Sequence, residues 1–143
     1  MLVKKYIDLK ISQYIYIYIY KAMQNNNSQS NVLYCIYDTL NYKFLMIDYI
    51  NIDEYDEMKL MSTFIGCNNN FHEYRKEYKR VDLKMYILEN SDDSEDEIYD
   101  KLYKYTEISD ISYPYMIKSK NRKITSEDIM NINEKLNTIM YCH

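Results

Sequence analysis

The residues with the clearest potential for metal chemistry lie around His72. His72 begins the His-Glu-x-x-His pattern of zinc proteases, but Lys76 stands where that pattern needs its second histidine. A structural zinc site needs four ligands, so Cys67 and His72 would have to meet the Cys142-His143 pair near the end of the chain. The sequence favours a surface histidine, and we expect neither a metal nor another cofactor.

An acidic run spans Asp92 to Glu97 and invites comparison with a calcium-binding loop. It lacks the alternating ligands and the central glycine that bend such a loop. Ser94 followed three residues later by Glu97 has the spacing of a capping box, so the run is interpreted as the start of a helix. Ser91 and Ser94 are also candidate phosphorylation sites for an acid-directed kinase, because a helix N-terminus tolerates or stabilises a phosphate group.

Two basic clusters are candidates for binding phosphates of RNA or of anionic lipids. The first is interleaved with tyrosines and contains Arg75, Lys76, Lys79 and Arg80; the second contains Lys118, Lys120, Arg122 and Lys123. A formal net charge of −4 argues against a dedicated nucleic-acid coat. We therefore interpret both clusters first as solvated faces, expect no stable nucleic-acid complex, and expect membrane contact to be peripheral at most.

The composition also argues against the common enzyme classes. A single glycine excludes the phosphate-binding loop and the dinucleotide fingerprint, both of which need several glycines for close approach of the backbone. No serine, cysteine or lysine lies in a recognisable nucleophile context. We predict that the protein is not an enzyme.

Length and composition predict one soluble domain. The chain has 143 residues, 47% of them hydrophobic, which is enough to bury a core. Three scattered cysteines form no disulfide framework and favour a reducing compartment. With no window of about 18 to 20 apolar residues and no expected secretory signal, the prediction is cytoplasmic.

The 19 tyrosines point to nucleotide bias, because Tyr, Ile, Asn and Lys are read from A/T-rich codons. The repeat YIYIYIY, residues 14–20, alternates like a strand but is what a dinucleotide repeat would encode. We interpret residues 1–30 as a low-complexity extension and polar linker that adds an edge strand or a helix. Residues 31–143 then form the single domain.

The elements of that domain follow from periodicity. The runs NVLYCIY and YKFLMIDYI, joined across Asp38–Asn41, predict a β-hairpin over residues 32–50. Residues 53–65 predict a helix capped by Asp53, with Gly66 as a left-handed C-terminal residue. Its inward face is assigned to Met58, Met61, Phe64 and Ile65. Residues 67–80 carry no clear signal.

The second half of the chain predicts a strand and two helices. Residues 81–89 alternate in polarity and predict a strand with one face firmly buried, formed by Val81, Leu83, Met85 and Ile87. A helix begins at Ser94, buries Ile98, Leu102 and Tyr105, and ends near Ile108. A last helix is capped at Thr125 and carries a stripe of Ile129, Ile132, Leu136, Ile139 and Met140. The fold class is α+β, built on an antiparallel sheet.

Residues 83–142 resemble the C-terminal half of the sedlin-like subunits of the transport protein particle (TRAPP) complex. That family has a strand ending in an acidic residue, a helix, an Asn-Pro-Phe-Tyr segment and an Ile-x-Ser step into a final helix. Here the strand ends at Glu89, and Ile124 with Ser126 precedes the last helix. The middle segment reads Tyr113-Pro114-Tyr115, so tyrosine replaces the asparagine.

The resemblance implies a longin-like fold with about five antiparallel strands and two to three packed helices. In one register, the hairpin and the helix at 53–65 open this fold and residues 71–88 supply the rest of the sheet; in the other, residues 51–80 are an insertion. With helices on one side, the sheet would leave one face exposed. We favour the first register, because it explains a capped helix directly after the hairpin.

The implied function is that of an adaptor in vesicle traffic between the endoplasmic reticulum and the Golgi. Its partners would be other subunits of the complex and, through them, a Rab-type GTPase. The interaction residues would be Tyr113, Pro114 and Tyr115, together with the first basic cluster. Three alternatives stay open: a small chain of a coat adaptor with the same fold, an accessory protein that binds RNA or anionic lipid through Arg75 to Arg80, and a lineage-specific protein without a transferable function.

Overall fold

The computed structural model describes Gln13, Ile15 and residues 30–111 and 117–141. Three strands form an antiparallel sheet in the order β2-β1-β3: β1 (Asn31–Asp38), β2 (Lys43–Asn51) and β3 (Leu83–Ser91). A short 3-10 turn (Ile52–Glu54) follows β2. The helices in residues 30–111 and 117–141 are α1 (Glu57–Cys67), α2 (Asn69–Glu77), α3 (Glu95–Ser109) and α4 (Ser126–Met140). The predicted α+β class is confirmed.

The hairpin between β1 and β2 is confirmed, and its turn is held by the carboxylate of Asp38. The backbone N–H groups of Leu40 and Asn41 both donate to Asp38 Oδ1. Tyr42 ends the turn with a φ of 59°, a left-handed conformation that glycine usually adopts and that a tyrosine adopts here. The Asp38 side chain therefore accepts hydrogen bonds from two backbone N–H groups of the turn and stabilises it.

Each outer strand carries an irregularity where it pairs with β1. Met46 and Phe44 pair with successive β1 residues, so Leu45 is the extra residue in β2. In β3, Glu89 and Ile87 pair with Leu33 and Tyr34, which makes Leu88 the extra residue. Because side chains alternate across a strand, one extra residue moves every later side chain to the opposite face. This bulge is what turns Glu89 towards α3 and α4.

Both faces of the sheet are covered, so the expected exposed face is wrong. One face packs on α1 and α2 through Phe64, Phe71 and Tyr74, and the other packs on α3 and α4. The prediction of one buried face for β3 needs the same correction, because Met85 belongs to the first core while Tyr86 and Leu88 belong to the second. The central strand β1 is correspondingly buried from Val32 to Asp38.

The helix α1 forms where expected, but its ends differ from the prediction. Asp56, rather than Asp53, is the N-cap, and its side chain accepts a hydrogen bond from the Lys59 amide. Gly66 lies inside the helix, and its φ is not positive. Within the predicted inward face, Phe64 is buried while Met58 is 82% exposed. Of the four apolar residues assigned to the inward face, only Phe64 is buried.

The helix α2 lies in residues 67–80, for which the sequence predicts no element. Its N-cap is Asn68, whose side-chain oxygen accepts a hydrogen bond from the Phe71 amide. Only Phe71 and Tyr74 are buried, and they lie three residues apart on one face. In the sequence, the signals for this helix are the Asn68 cap and the apolar pair Phe71 and Tyr74. They are weak, because the other residues of the segment are polar or charged.

The last two helices confirm their predicted starts. The Ser94 side chain caps α3, whose residues Ile98, Leu102 and Tyr105 are buried. Thr125 and Asp128 form a reciprocal capping box at α4, where Ile132, Leu136 and Ile139 are buried. The predicted stripe was too wide at one end, because Ile129 is 44% exposed. The helix α3 ends at Ser109, one residue beyond the predicted end near Ile108.

The expected count of about five strands is wrong for the described residues, which contain three. Residues 71–88 were expected to complete the sheet, but they contain most of α2 and only part of one strand, β3. Of the YIYIYIY repeat only Ile15 is described, and it is helical. None of the helices in the described ranges combines the length and apolar content that a membrane crossing requires.

Candidate functional site

Asp38 is a buried carboxylate that joins the hairpin, α2 and the start of β3. Its oxygens accept hydrogen bonds from the Tyr74 hydroxyl at 2.7 Å, from the Asp82 amide at 3.0 Å and from the Asn41 side chain. Burial alone would raise the pKa of Asp38, but these hydrogen bonds outweigh it and hold that pKa below its usual value. Asp38 therefore acts as a structural junction.

Glu89 forms the corresponding junction on the other side of the sheet. It accepts hydrogen bonds from Lys101 at 2.8 Å, from the Tyr105 hydroxyl at 2.7 Å and from Lys135 at 3.1 Å. Desolvation opposes ionisation, but the Lys101 and Tyr105 contacts prevail and the pKa of Glu89 is lowered. The same carboxylate raises the pKa of the already buried Tyr105 phenol. This arrangement holds Tyr105 protonated, as a hydrogen-bond donor rather than a base.

The predicted metal candidates do not assemble within the described residues. His72 is exposed, and its Nε2 lies 3.2 Å from the carbonyl oxygen of Ile65. Cys67 is an exposed free thiol, whereas Cys142 and His143 lie outside the described residues. In the described ranges no group of three His, Cys, Asp or Glu side chains has the geometry to hold a metal ion.

The two candidate phosphorylation sites occupy different environments. Ser91 is 4% exposed at the end of β3, and its hydroxyl accepts a hydrogen bond from the Asp93 amide. Ser94 is exposed at the start of α3. A kinase needs access to the hydroxyl, so the structure favours Ser94 over Ser91. Two acidic side chains of the run form ion pairs with residues outside it: Asp93 with Lys101 and Asp96 with Lys120.

The first basic cluster lies at the end of α2 and in the segment after it. All four of its side chains are exposed, but Arg75 donates to the Lys79 carbonyl and Lys76 pairs with Glu73. Cations in the last turn of a helix also complement its dipole. These contacts are those of a solvated helix end. The other predicted interaction residues, Tyr113, Pro114 and Tyr115, lie outside the described residues.

The second basic cluster lies in the segment that leads into α4. Lys120 pairs with Asp96, and the Arg122 guanidinium lies 5.1 Å from the centroid of the Tyr103 ring. Lys118 and Lys123 are exposed. Lys120 and Arg122 therefore attach the segment to α3. Among the described residues, no contact joins this cluster to the first basic cluster.

An open groove that the sequence does not predict lies between α1 and the outer strand β2. We call it the Asp48 groove; β2 lines it with Met46, Asp48 and Ile50, and α1 lines it with Leu60, Phe64 and Cys67. Its volume is about 340 Å³. Phe64 of α1 is buried in one core with residues of β1, whereas Met46, Asp48 and Ile50 of the outer strand are only half-buried, which leaves the groove open.

Among the described residues that line this groove, Asp48 is the one acidic side chain. Its Oδ1 accepts a hydrogen bond from the Tyr49 amide at 2.8 Å, and among the described residues it forms no ion pair. Desolvation by the surrounding side chains raises the pKa of Asp48. Asp48 also raises the pKa of Tyr34, its partner across the sheet and already partly desolvated. A carboxylate inside the run FLMIDYI was the available sequence signal.

A second open groove of about 390 Å³ lies on the other side of α1, next to β3. Met58 and Met61 of α1 and Leu83 of β3 supply apolar surface, and Lys84 supplies a charge. We call it the Met58 groove. Met58 is 82% exposed, and Ile65, seven residues later on the same face of α1, is 47% exposed. The helix thus offers a ridge with a depression on each side.

The elements of residues 30–111 and 117–141 define a layered α+β architecture in which one three-stranded antiparallel sheet lies between two pairs of helices. Comparison of the chain with protein-family models, with curated proteins and with solved structures finds no match.

Proposed function

We propose that this protein is a non-enzymatic adaptor that binds other protein chains through α1 and the grooves beside it. The observation that carries the proposal is the exposure of Met58 and Ile65 on a helix flanked by two open, largely apolar depressions. Methionine is enriched at the buried centres of protein interfaces and adapts to irregular surfaces. Docking of a partner would remove this apolar surface from water.

The two carboxylates that join separate elements of the fold, Asp38 and Glu89, support a structural rather than a catalytic role for these groups. Among the described residues, Asp38 and Glu89 are the carboxylates with the most extensive hydrogen bonding, and each connects separate elements of the fold. A general base needs a free lone pair and a pKa near the working pH, whereas the pKa values of both carboxylates are lowered. Their geometry is that of structural junctions.

The resemblance to sedlin-like subunits extends the proposal to a longin-like subunit of a vesicle-trafficking complex of the TRAPP type. A hairpin followed by a helix, and two helices after the last strand, agree with the order that the resemblance implies. The partners would be other subunits and, through the complex, a Rab-type GTPase. A sheet of three described strands in place of about five is the main departure.

The test is purification of the tagged full chain, expressed at native level, with identification of its stoichiometric partners. We expect trafficking subunits in the purified complex, and we expect Met58→Glu to remove them. Met130→Glu is the matched control, because Met130 is 65% exposed on α4, which packs on the opposite face of the sheet. Coat-adaptor subunits in their place would favour the runner-up function. Absence of any stoichiometric protein, or equal loss in both variants, would contradict the proposal.

A further inference from the structure

We propose that the Asp48 groove binds an arginine or lysine side chain presented by a partner protein, an inference that rests on the adaptor function proposed above. Among the described residues the groove combines one carboxylate with mostly apolar walls, to which Thr63 and Asn68 add polar groups, and that combination matches a long aliphatic stem ending in a cation. The proposal names the chemistry of the contact that would give the adaptor its specificity.

The first observation that supports a basic ligand is the carboxylate of Asp48, which has no countercharge among the described residues. Its carboxylate is partly buried and, among the described residues, has neither an ion pair nor a side-chain donor; its hydrogen bond comes from the Tyr49 backbone. Desolvation without a countercharge raises its pKa, so the ionised side chain is held at a cost to stability. Asp38 and Glu89 are surrounded by donors, which makes Asp48 the exception among the inward-facing carboxylates described. An incoming cation would supply the missing donor.

The second observation is that the walls of the groove are mostly apolar. Met46 and Ile50 lie on the same face of β2 as Asp48, and Leu60 and Phe64 face them from α1. Long basic side chains bury their methylene stems along such surfaces while the charged end reaches a polar partner. A volume of about 340 Å³ lies in the range of specific binding clefts. The site therefore favours a basic side chain over a small divalent cation, because such a cation needs several oxygen ligands and the described lining supplies one carboxylate.

Cys67 makes the groove directly measurable. It is exposed and lines the groove from α1, whereas Cys35 is buried in the sheet. Burial raises the pKa of the Cys35 thiol to about 12, so that cysteine is protected from alkylation in the folded protein. In the full chain carrying Cys142→Ser, the rate at which iodoacetamide modifies Cys67 then reports whether the groove is occupied.

The probes are the peptides acetyl-Leu-Arg-Leu-amide and acetyl-Leu-citrulline-Leu-amide, which differ in charge but hardly in shape. We expect the arginine peptide to slow Cys67 alkylation in a saturable manner and the citrulline peptide to do so at least tenfold more weakly, because a charge-assisted hydrogen bond is lost. Asp48→Asn should reduce the arginine effect by about tenfold. Asp53→Asn, which removes an exposed carboxylate outside the groove, should leave it unchanged.

Equal protection by both peptides, or protection that survives Asp48→Asn, would overturn the proposal, because either result would show that charge recognition is absent. A slowing that grows with protein concentration alone would also overturn it and would identify a second copy of the chain as the occupant. The peptide experiment needs no partner. Loss of partners in Met58→Glu without a response to the arginine peptide would therefore leave the adaptor function intact and reject this inference alone.

Discussion

The hydroxyl of Tyr74 donates a 2.7 Å hydrogen bond to the carboxylate of Asp38, across 36 positions of the sequence. Tyr74 is fully buried on α2, and Asp38 is fully buried at the end of β1. Because Asp38 also holds the hairpin turn and the amide of Asp82, this one contact fixes α2 against the end of the sheet. The helix that the sequence signalled least is thereby attached by a polar contact as well as by packing.

Tyr74→Phe is expected to lower the free energy of unfolding by about 2 kcal/mol, the usual value for a buried hydrogen bond to a charged group. The matched control is Tyr78→Phe. The Tyr78 ring stacks on Tyr74 with centroids 4.5 Å apart, and its hydroxyl forms no hydrogen bond among the described residues. Urea denaturation followed by circular dichroism measures both variants. Equal effects of the two substitutions would contradict the role assigned to Asp38.

Glu89→Gln is expected to destabilise the protein at neutral pH by about 1 to 3 kcal/mol, discounted because Lys101 and Lys135 are both more than a third exposed. The folded pKa of Glu89 lies below its ordinary value of 4.5, so its contribution is present above that value and is lost as the pH falls through the folded pKa. The difference from the native chain should therefore shrink in acid.

The measurement for Glu89 is urea denaturation from pH ~7 down to pH ~3 for both chains. Glu73→Gln is the control, since Glu73 forms an exposed pair with Lys76 whose loss should have no measurable effect. A difference between Glu89→Gln and the native chain that stays constant across this range would exclude the linkage.

Asp48→Asn is expected to stabilise the folded protein at neutral pH, in contrast to the same exchange at Asp38. Desolvation raises the folded pKa of Asp48 above its ordinary value of 3.8. The ionised form is thus disfavoured in the folded state, and stability falls as the pH rises from 3.8 through the folded pKa. Thermal unfolding should show a higher midpoint for Asp48→Asn at neutral pH and no gain in acid. A lower midpoint at neutral pH would mean that Asp48 is a structural partner.

Ser94 is expected to accept phosphate from an acid-directed kinase, and Ser91 is not. Ser94 is exposed beside acidic residues at the N-terminus of α3, whereas Ser91 is 4% exposed. Intact-mass spectrometry of the folded chain after incubation with such a kinase is the measurement. Ser94→Ala should abolish phosphate on this segment and Ser91→Ala should leave it unchanged; the reverse pattern would reject the assignment.

Replacing Arg75, Lys76, Lys79 and Arg80 together by glutamate tests the accessory-protein alternative. If the cluster is a solvated helix end, the native chain should bind neither single-stranded RNA nor anionic vesicles at low salt, and the variant should fold with an unchanged circular dichroism spectrum. Salt-sensitive binding by the native chain that the variant lacks would favour the alternative. Cosedimentation with vesicles and fluorescence anisotropy with RNA measure these interactions.

Patterns within short stretches of the sequence predicted much of the fold. The β-prone runs around Asp38, the Ser94 and Thr125 caps and the buried positions of α3 were all predicted, because each depends on neighbours within a few residues. The failures have the same origin. The two apolar residues of α2, Phe71 and Tyr74, are too few to outweigh its charged residues in a local pattern, and only the hairpin that they cover explains their burial.

By itself the sequence determined the α+β class, the hairpin and the capped C-terminal helices, since propensity and periodicity act over one or two turns of chain. The tertiary structure alone decided that both faces of the sheet are covered and that the Leu88 bulge turns Glu89 towards α3 and α4. It also decided that Asp48 lines a groove without a countercharge among the described residues. Burial and electrostatic environment are set by segments far apart in sequence, and no local pattern encodes which of them will meet.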